Sequence, residues 1–347
     1  MRGPRLAARA VALLAGGAVL AGCAGSGGAS SAPPVTVLRV GVPVHQPVWS
    51  EGGHALLALT DDARVARIEP DGAGTAATSL SAPLGDVGED IAPDPVRPDV
   101  AYVPQPGSGR VTALDTGDLR PLGTLTLGPA PSYLTTDDGS RALLALSADR
   151  TTVSAMDLEG HTPIPPQAVH ADPEAELDGP ARGRLLEYHV VGPDGVVHYK
   201  GAPGEVEEKG RIDVRADKSA GDRIAVDRLY VAERDTDRLL AVATSPDHER
   251  LDLVAADHLG APVRDVGTDE TRIYAATDDA LVVLETDTFT GYPDHHFDRV
   301  ATIPFRGALT DDAARHASVA GLAVGPDRVY LTLEGQPAVV SIAKPPL

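Results

Sequence analysis

The sequence predicts an all-β fold made of seven similar units. Short alternating apolar segments recur along the chain, and tight-turn residues such as Asp137-Asp138-Gly139 precede most of them. A second apolar segment follows most of these after a further turn, about ten residues on. Short strands bounded by glycine, proline and aspartate are typical of consecutive β-hairpins, so we expect antiparallel sheets.

The spacing of the units predicts how the sheets are arranged. The leading apolar segments occupy residues 54–59, 99–103, 141–146, 195–199, 228–232, 272–276 and 328–332. The segments that follow them occupy residues 64–69, 110–115, 152–157, 238–242, 280–285 and 338–342, and in the degenerate fourth unit we expect 205–213 to supply this strand. Measured between equivalent residues from Ala55 to Val329, the units are 45, 42, 54, 33, 44 and 56 residues apart. Four-stranded propeller blades repeat at ~40–50 residues, so the sequence predicts a seven-bladed β-propeller.

The two ends of the repeat region predict how the ring closes. Residues 343–347 follow the last apolar segment and are too few to give the seventh unit an outer strand. Val35–Val40 precedes the first unit and belongs to none of the seven. We expect this N-terminal strand to complete the last blade, because closing the ring removes exposed sheet edges.

The second unit has the most regular pattern. Its segments are Val100–Val103, Gly109–Thr116, Gly123–Gly128, Pro131 and Asp137–Gly139. They match, in order, a Tyr-Val strand, a Val-x-Val-Ile-Asp-Thr strand, a Gly-x-x-Pro turn, whose glycine and proline are Gly128 and Pro131, and an Asp-Gly hairpin. Over roughly residues 95–146 the unit therefore resembles the YVTN repeat of surface-layer and periplasmic β-propellers, although Pro104-Gln105 replaces the Thr-Asn of that motif. The resemblance implies a fold rather than a function.

The N-terminus has the pattern of a secretory signal. Three arginines precede an apolar run over residues 10–21, and Leu20-Ala21-Gly22 stands directly before Cys23. This pattern resembles a bacterial lipoprotein signal, which implies cleavage before Cys23 and attachment of acyl chains, such as palmitate, to that cysteine. An N-terminal transmembrane helix is the alternative, but the run is shorter than the ~20 apolar residues that a span needs.

The predicted organisation has three parts. Residues 1–22 form the signal peptide, 23–34 form the lipidated cysteine and a flexible tether rich in Gly, Ser and Pro, and 35–347 form the propeller. We therefore expect a lipoprotein that is anchored in the lipid bilayer on the extracytoplasmic face of the cell membrane.

Composition excludes several classes of function. The 347 residues include 30 basic and 50 acidic side chains without a basic patch, so nucleic acid is an unfavourable partner. The single cysteine, assigned to the lipid, excludes an internal disulfide, a cysteine nucleophile and thiolate metal sites. Trp49 is the one tryptophan, and we assign it to the core. We expect a monomer with an unidentified protein or small-molecule partner.

Ligands are expected at the central channel, because the innermost strands of a propeller all start around one of its mouths. Alignment of the units brings these polar residues to the strand starts: His45, Glu89 or Asp90, Ser132, Glu187, Asp222, Arg264 or Asp265, and His316. The candidate ligand or metal site selected from them is His45, Asp90, Glu187, Asp222 and His316. Two imidazoles with several carboxylates are a donor set that suits zinc or another divalent metal. The alternative is a polar mouth of the kind that any propeller has.

Other histidines have simpler interpretations. Tyr292–Asp298 contains two adjacent histidines between aspartates, and we expect a solvated loop there. Adjacent side chains of an extended segment point in opposite directions, which is unfavourable for chelation. His189 and His198 lie on predicted strands, where we expect ordinary hydrogen bonds.

No catalytic motif in the sequence supports an enzyme. The Gly-x-Ser-x-Gly, P-loop, dinucleotide and His-Glu-x-x-His patterns are all absent. The leading hypothesis is a non-enzymatic binding or scaffold module, with no cofactor. A zinc-binding or zinc-chaperone propeller and a propeller hydrolase such as a lactonase are the alternatives.

Overall fold

The structure is a computed structural model that describes residues 34–70, 75–225, 227–245 and 250–346. The predicted signal peptide, Cys23 and all of the predicted tether except Pro34 lie outside these residues. The described strands form seven four-stranded antiparallel sheets, which are the seven blades. The prediction of a seven-bladed β-propeller is therefore confirmed.

The first strand of each blade is innermost and the fourth is outermost. This is also the order along the chain, except in blade 7, where the outermost strand is the N-terminal strand. Blade 1 contains β2 (His45–Ser50), β3 (Ala55–Leu59), β4 (Val65–Pro70) and β5 (Ala76–Leu80), and blade 2 contains β6 (Ala92–Pro93), β7 (Val100–Gln105), β8 (Arg110–Asp115) and β9 (Pro121–Thr126). Blade 3 contains β10 (Pro131–Asp137), β11 (Ala142–Ser147), β12 (Thr152–Asp157) and β13 (Thr162–Ala168), and blade 4 contains β14 (Glu176–Asp178), β15 (Leu186–Gly192), β16 (Gly195–Ala202) and β17 (Glu205–Ile212). Blade 5 contains β18 (Ala216–Gly221), β19 (Arg228–Glu233), β20 (Arg238–Thr244) and β21 (Leu251–His258), and blade 6 contains β22 (Val263–Thr268), β23 (Arg272–Thr277), β24 (Ala280–Glu285) and β25 (Arg299–Pro304). Blade 7 contains β26 (Val319–Val324), β27 (Arg328–Leu333), β28 (Ala338–Ala343) and β1 (Val35–Arg39).

Helices are short and lie in the connections. Pro106–Ser108 and Arg306–Ala308 are single 3-10 turns, and α1 spans Asp312–His316 before the first strand of blade 7. Asp311 caps α1, because its side chain accepts the N–H groups of Ala313 and Ala314. Within the described ranges, none of the helices has the length and apolar character needed to cross a membrane.

Each blade is covered by apolar contacts on both of its faces. Seven clusters of buried apolar residues are present, and each combines side chains from two neighbouring blades. All five residues of β3 are buried for this reason, so the second strand of a blade has no solvated face. The core is therefore a ring of interfaces between blades.

The N-terminal strand closes the ring, as predicted. β1 pairs antiparallel with β28, with Val35 opposite Ile342 and Arg39 opposite Ala338. Leu38 of β1 is 1% exposed, because it packs in the cluster that joins blade 7 to blade 1. The first and last strands of the propeller thus stabilise each other, although they lie at opposite ends of the chain.

The prediction was wrong in blade 4, where the strands were assigned one place too far inwards. The segment 195–199 belongs to β16, the third strand, and Glu205–Ile212 forms the fourth strand rather than the third. The true second strand, β15, is itself an apolar segment, and the turn after it resembles the turn that precedes second strands elsewhere. With this correction the second strands begin at residues 55, 100, 142, 186, 228, 272 and 328, and the spacing becomes nearly even until blade 7.

A tyrosine hydrogen-bonded to an aspartate recurs in three blades. The hydroxyls of Tyr102, Tyr230 and Tyr274 donate to Asp94, Asp222 and Asp269 at 2.7, 2.8 and 2.7 Å. In each case the other carboxylate oxygen accepts two backbone N–H groups of the turn between the first two strands. The pair therefore fixes this turn against the second strand, which explains the tyrosines that recur in the repeat.

Deletion of residues 35–40 with the preceding tether retained should destabilise the last blade. The free energy of unfolding should fall by about 3–6 kcal/mol, because two buried side chains, Leu38 and Val40, leave the core. Hydrogen exchange of the β28 amides should accelerate, because β28 becomes an edge strand.

Shortening residues 25–31 is the matched control for this deletion, and it should change neither quantity. Equal β28 exchange in the deletion variant and the full chain would contradict the role assigned to β1.

Candidate functional site

The inner strands of the seven blades surround a central cavity of about 460 Å³, whose lining residues come from every blade. We call the side on which the inner strands begin the upper mouth and the opposite side the lower mouth. Glu51, Asp138 and Arg223 line the cavity and follow the ends of β2, β10 and β18, so the cavity reaches the lower mouth. Its volume lies within the ~300–1,000 Å³ that is usual for small-molecule sites.

Four carboxylates and one lysine form a cluster around the centre that we call the acidic ring. Its members are Asp90, Glu176, Asp178, Lys218 and Asp265, and each of the other four carries a charge that acts on Glu176 or is acted on by it. Glu176 forms an ion pair with Lys218, which joins β14 of blade 4 to β18 of blade 5. The Lys218 ammonium also lowers the pKa of Asp265 on β22. Carboxylates outnumber the ammonium in the ring, so the ionised ring attracts cations.

Burial raises the pKa of every carboxyl in the ring. The pKa of Asp178 rises to about 7 and that of Asp265 to about 6, mainly because burial disfavours the ionised form. The pKa of Asp90 lies well above its ordinary value, first through burial and then through the charges of Glu176 and Glu89. The ring can therefore exchange protons near neutral pH.

Asp178 is the ring carboxylate that lines the cavity. Its Oδ1 accepts the backbone N–H of Gly221 at 3.0 Å, from the inner strand of blade 5. A Cβ at Gly221 would lie 2.9 Å from Oδ2, so any larger residue there would displace the Asp178 carboxylate from this position. Arg223 lowers the pKa of Asp178 and Asp138 raises it, both acting after the larger effect of burial. Asp178 is thus held by the protein on one side and open to the cavity on the other.

A second polar cluster at the upper mouth joins three blades. Glu89 accepts the Ser132 hydroxyl at 2.7 Å and the Arg150 guanidinium at 2.6 Å. Arg150 is 3% exposed, and its Nε donates to the carbonyl of Pro173 at 3.1 Å. Among the predicted mouth residues that the structure describes, Glu89 and Ser132 are the one pair in hydrogen-bond contact. The buried arginine indicates that their contact ties blades 2, 3 and 4 together.

The structure places three of the five selected residues near the upper mouth, but in separate surroundings. Asp90 belongs to the acidic ring, and its Oδ1 accepts the N–H of Leu134 at 2.8 Å. His45 begins β2, with Nε2 at 3.9 Å from Asp61, and burial lowers its pKa while Asp61 opposes that effect. His316 ends α1 and is exposed, and its Nδ1 donates to the carbonyl of Asp312 at 2.8 Å.

The other two selected residues, Glu187 and Asp222, do not lie at the start of an inner strand. Glu187 is on β15, the second strand of blade 4, and this error follows from the shifted assignment of that blade. Asp222 comes after the end of β18, where it supports the turn through the Tyr230 hydroxyl. Their exposed fractions are 1% and 2%, so both carboxylates are buried in the protein.

The predicted pair of metal-ligating histidines does not come together with further ligands. Within the described residues, the group of three potential ligands that lie within 4.8 Å of one another is Glu285, Asp287 and Asp298. Neither His45 nor His316 belongs to it. Asp298 is exposed and Arg272 lies 3.3 Å from Glu285, so this group has the character of an ordinary acidic surface.

Sequence reasoning missed Glu176, Asp178 and Lys218. Both carboxylates lie on β14, which spans three residues and has no apolar alternation of its own. Lys218 lies on β18, whose sequence Ala-Asp-Lys-Ser-Ala-Gly also lacks that pattern. The spacing of the blades was the signal that could have revealed β14. An even spacing places the second strand of blade 4 near residue 186, and the inner strand of that blade must then lie shortly before it.

Comparison with known proteins supports the fold and leaves the family open. No family model matches the sequence, and no curated protein matches it. Among solved structures, the structure of U3-55K has a TM-score of 0.66 at 14% identity, and it covers 90% of this chain and 98% of its own. The RRP9 WD40 repeats give 0.66 at 13% identity, with 89% and 97% covered. A virginiamycin B lyase from Staphylococcus aureus gives 0.64 at 8% identity, with 90% and 99% covered.

Lys218→Met should lower the free energy of unfolding by about 3 kcal/mol at pH 8, because Glu176 loses its buried partner. The loss should be smaller at pH 5, because burial raises the pKa of the Glu176 carboxyl and its neutral form, which needs no ammonium partner, becomes more populated as the pH falls. Urea unfolding at the two pH values measures both quantities.

Lys209→Met is the matched control for this substitution. Its ammonium pairs with the exposed Glu207 at 2.9 Å, and such surface pairs contribute at most about 1 kcal/mol. Losses of equal size in the two variants would show that the acidic ring does not depend on Lys218.

Proposed function

We propose that this chain is a non-enzymatic binding module that holds a small organic cation in its central channel. The observation that supports this proposal is the acidic ring, in which carboxylates outnumber the one ammonium and from which Asp178 reaches the 460 Å³ cavity. A diamine fits this chemistry, because each ammonium can pair with a carboxylate and donate hydrogen bonds to it. Asp178 is the first contact for such a ligand, since it lines the cavity directly.

The lining of the cavity favours an organic cation over a bare metal ion. Its lining combines carboxylates with the side chains of Trp49, Val48 and Leu322. Apolar walls with a few converging polar groups are typical of sites for organic ligands. Trp49 packs against the apolar cluster between blades 7 and 1 and also lines the cavity, where its ring can make a cation–π contact with an organic ammonium group.

We also propose that the propeller works outside the cytoplasm as a lipoprotein held on the cell membrane through Cys23. The support is the N-terminal pattern of arginines, apolar run and Leu20-Ala21-Gly22-Cys23. Two acyl chains on one cysteine suffice for stable anchoring, whereas a single chain binds reversibly. The YVTN-type pattern of the second unit agrees with this location, because that repeat occurs in surface-layer and periplasmic propellers. The structural neighbours include WD40 repeats and a lyase, which agrees with a general binding scaffold.

Calorimetric titration with 1,4-diaminobutane tests the binding proposal. Affinity should rise about tenfold between pH 6 and pH 8, because Asp178, with its pKa near 7, ionises over this interval. Asp178→Asn should weaken binding at pH 8 and remove most of the pH dependence. Asp279→Asn is the control, since that side chain is 82% exposed and should change neither. Absence of binding at pH 8, or tighter binding of Zn²⁺ or Mg²⁺ than of the diamine, would reject the proposal.

Cys23→Ala should release the protein from the membrane. Metabolic labelling with palmitate followed by detergent-phase partition should show a labelled, detergent-phase wild type and an unlabelled, aqueous variant. Retention of both proteins in the detergent phase would reject lipid anchoring at this residue.

A further inference from the structure

Polar groups of the channel extend into the interface between blades 4 and 5. Glu187, His189 and Val191 alternate along β15 and share one face of the blade. Val191 packs with Leu229 and Val242 of blade 5, so this face is the one turned towards blade 5. We call the polar part of this interface the blade 4–5 seam.

Strand register gives the order of the groups in the seam. Asp178 on β14 lies opposite His189 on β15, and His189 lies opposite His198 on β16. Directly opposed residues of antiparallel strands have Cβ atoms only ~5 Å apart. The two imidazoles are stacked with their centroids 4.7 Å apart. A continuous row of titratable groups therefore begins at the cavity and continues outwards through the blade.

The outer part of the seam is held by hydrogen bonds and an ion pair. Nε2 of His198 lies 2.8 Å from Oε1 of Glu187, and its Nδ1 lies 3.3 Å from the Thr244 hydroxyl of blade 5. An ionised carboxylate only accepts, so Nε2 donates to Glu187 and Nδ1 accepts from Thr244. The ammonium of Lys200 lies 2.9 Å from the other oxygen of Glu187. This arrangement fixes the orientation and the tautomer of His198.

His189 is the exception, which corrects the expectation that it makes ordinary hydrogen bonds. Its side chain is 2% exposed, and neither ring nitrogen has a hydrogen-bond partner among the residues that the structure describes. Burial holds the pKa of His189 well below its ordinary value, and the charge of Lys200 acts in the same direction. The seam is thus built around a neutral imidazole.

The surroundings of His189 contain charges of both signs. Blade 4 contributes Asp178, Glu187, His198 and Lys200 on the same face. Blade 5 contributes the Lys218 ammonium, which is paired with Glu176, the Gly221 N–H, which is donated to Asp178, and the Thr244 hydroxyl. Oδ1 of Asp178 and both oxygens of Glu187 are already in contact with other donors. A proton added to His189 has no acceptor within hydrogen-bond distance among the described residues.

We propose that His189 makes the blade 4–5 seam a pH-sensitive wall of the channel, in which protonation of His189 favours opening and release of the bound cation. This inference rests on the proposed function for its ligand, but the opening itself is a property of the free protein. Separation of the seam moves β14 away from β18 and breaks the contact between Asp178 and Gly221 that shapes the cavity. Opening then removes the cation site at the same time as acid neutralises Asp178.

The sign of the pH effect follows from the direction of the pKa shift. A histidine whose pKa is lowered in the closed state binds a proton more readily when the seam is open or the chain is unfolded. Acidification below about pH 6.5 therefore favours opening by up to tenfold per pH unit for one proton. Asp178 and Asp265 act with the opposite sign, because their raised pKa values favour the folded state at low pH. The effect of His189 is consequently measured as a difference between variants.

Hydrogen exchange of the free protein at pH 7 and pH 5, corrected for intrinsic rates, tests the inference. For the amides of β15, β16 and β20, the ratio of the exchange rate at pH 5 to that at pH 7 should be at least about tenfold larger in wild type than in His189→Phe, because phenylalanine keeps the stacked ring but takes up no proton. For the amides of β3 and β7 in the blade 1–2 interface, this ratio should be the same in the two proteins. His189→Gln provides the same comparison if the phenylalanine variant does not fold. His170→Gln, at an exposed histidine, should behave as wild type.

Several outcomes would overturn the inference. An equal pH 5 to pH 7 exchange ratio in wild type and His189→Phe, or a difference between them that is spread evenly over all blades, would each exclude His189 as the sensor. A smaller ratio in wild type than in His189→Phe would show that protonated His189 pairs with Asp178 instead of opening the seam. No ligand is present in this experiment, so its failure is separate from failure of the diamine titration at pH 8.

Discussion

The burial of both faces of every blade against its neighbours is the constraint on which the rest of the structure depends. Each apolar cluster of the core draws on two adjacent blades, so no blade can complete its packing alone. An incomplete ring would expose two apolar faces and one sheet edge. Pairing of β1 with β28 removes all three, and it makes the stability of the last blade depend on the first strand of the chain. This is why a strand without a repeat of its own is present before blade 1.

Closure of the ring also creates the site. Seven inner strands arranged around an axis cannot pack across the centre, so the centre holds water-accessible space and polar side chains. In this chain the polar side chains are mostly acidic, and their burial raises the pKa values into the range where protons and cations compete. Lys218 is the one ammonium in the ring, and its pairing with Glu176 couples the site to the interface of blades 4 and 5. The same interface contains His189, whose buried imidazole has no hydrogen-bond partner among the described residues.

The sequence allowed the prediction of those features that depend on apolar periodicity. Seven blades and closure by Val35–Val40 follow from alternating segments and turn residues, and both are confirmed. The inner strands β14 and β18 lack that periodicity, because they face the channel and carry charged or small residues. For this reason the acidic ring was largely missed, and Asp222 was assigned to a strand start although it supports a turn. Contacts across blades, such as Glu176 with Lys218, depend on tertiary packing and have no signature in the local sequence.

Measurement of proton release during cation binding tests the central claim most directly. Titration of the protein with 1,4-diaminobutane at pH 6.5, in two buffers of different ionisation enthalpy, gives the number of protons exchanged per cation bound. Because Asp178 is mostly protonated at this pH, binding should release roughly one proton, and Asp178→Asn should remove that release. Binding without proton release, or a release that persists in Asp178→Asn, would contradict the assignment of the acidic ring as the binding site.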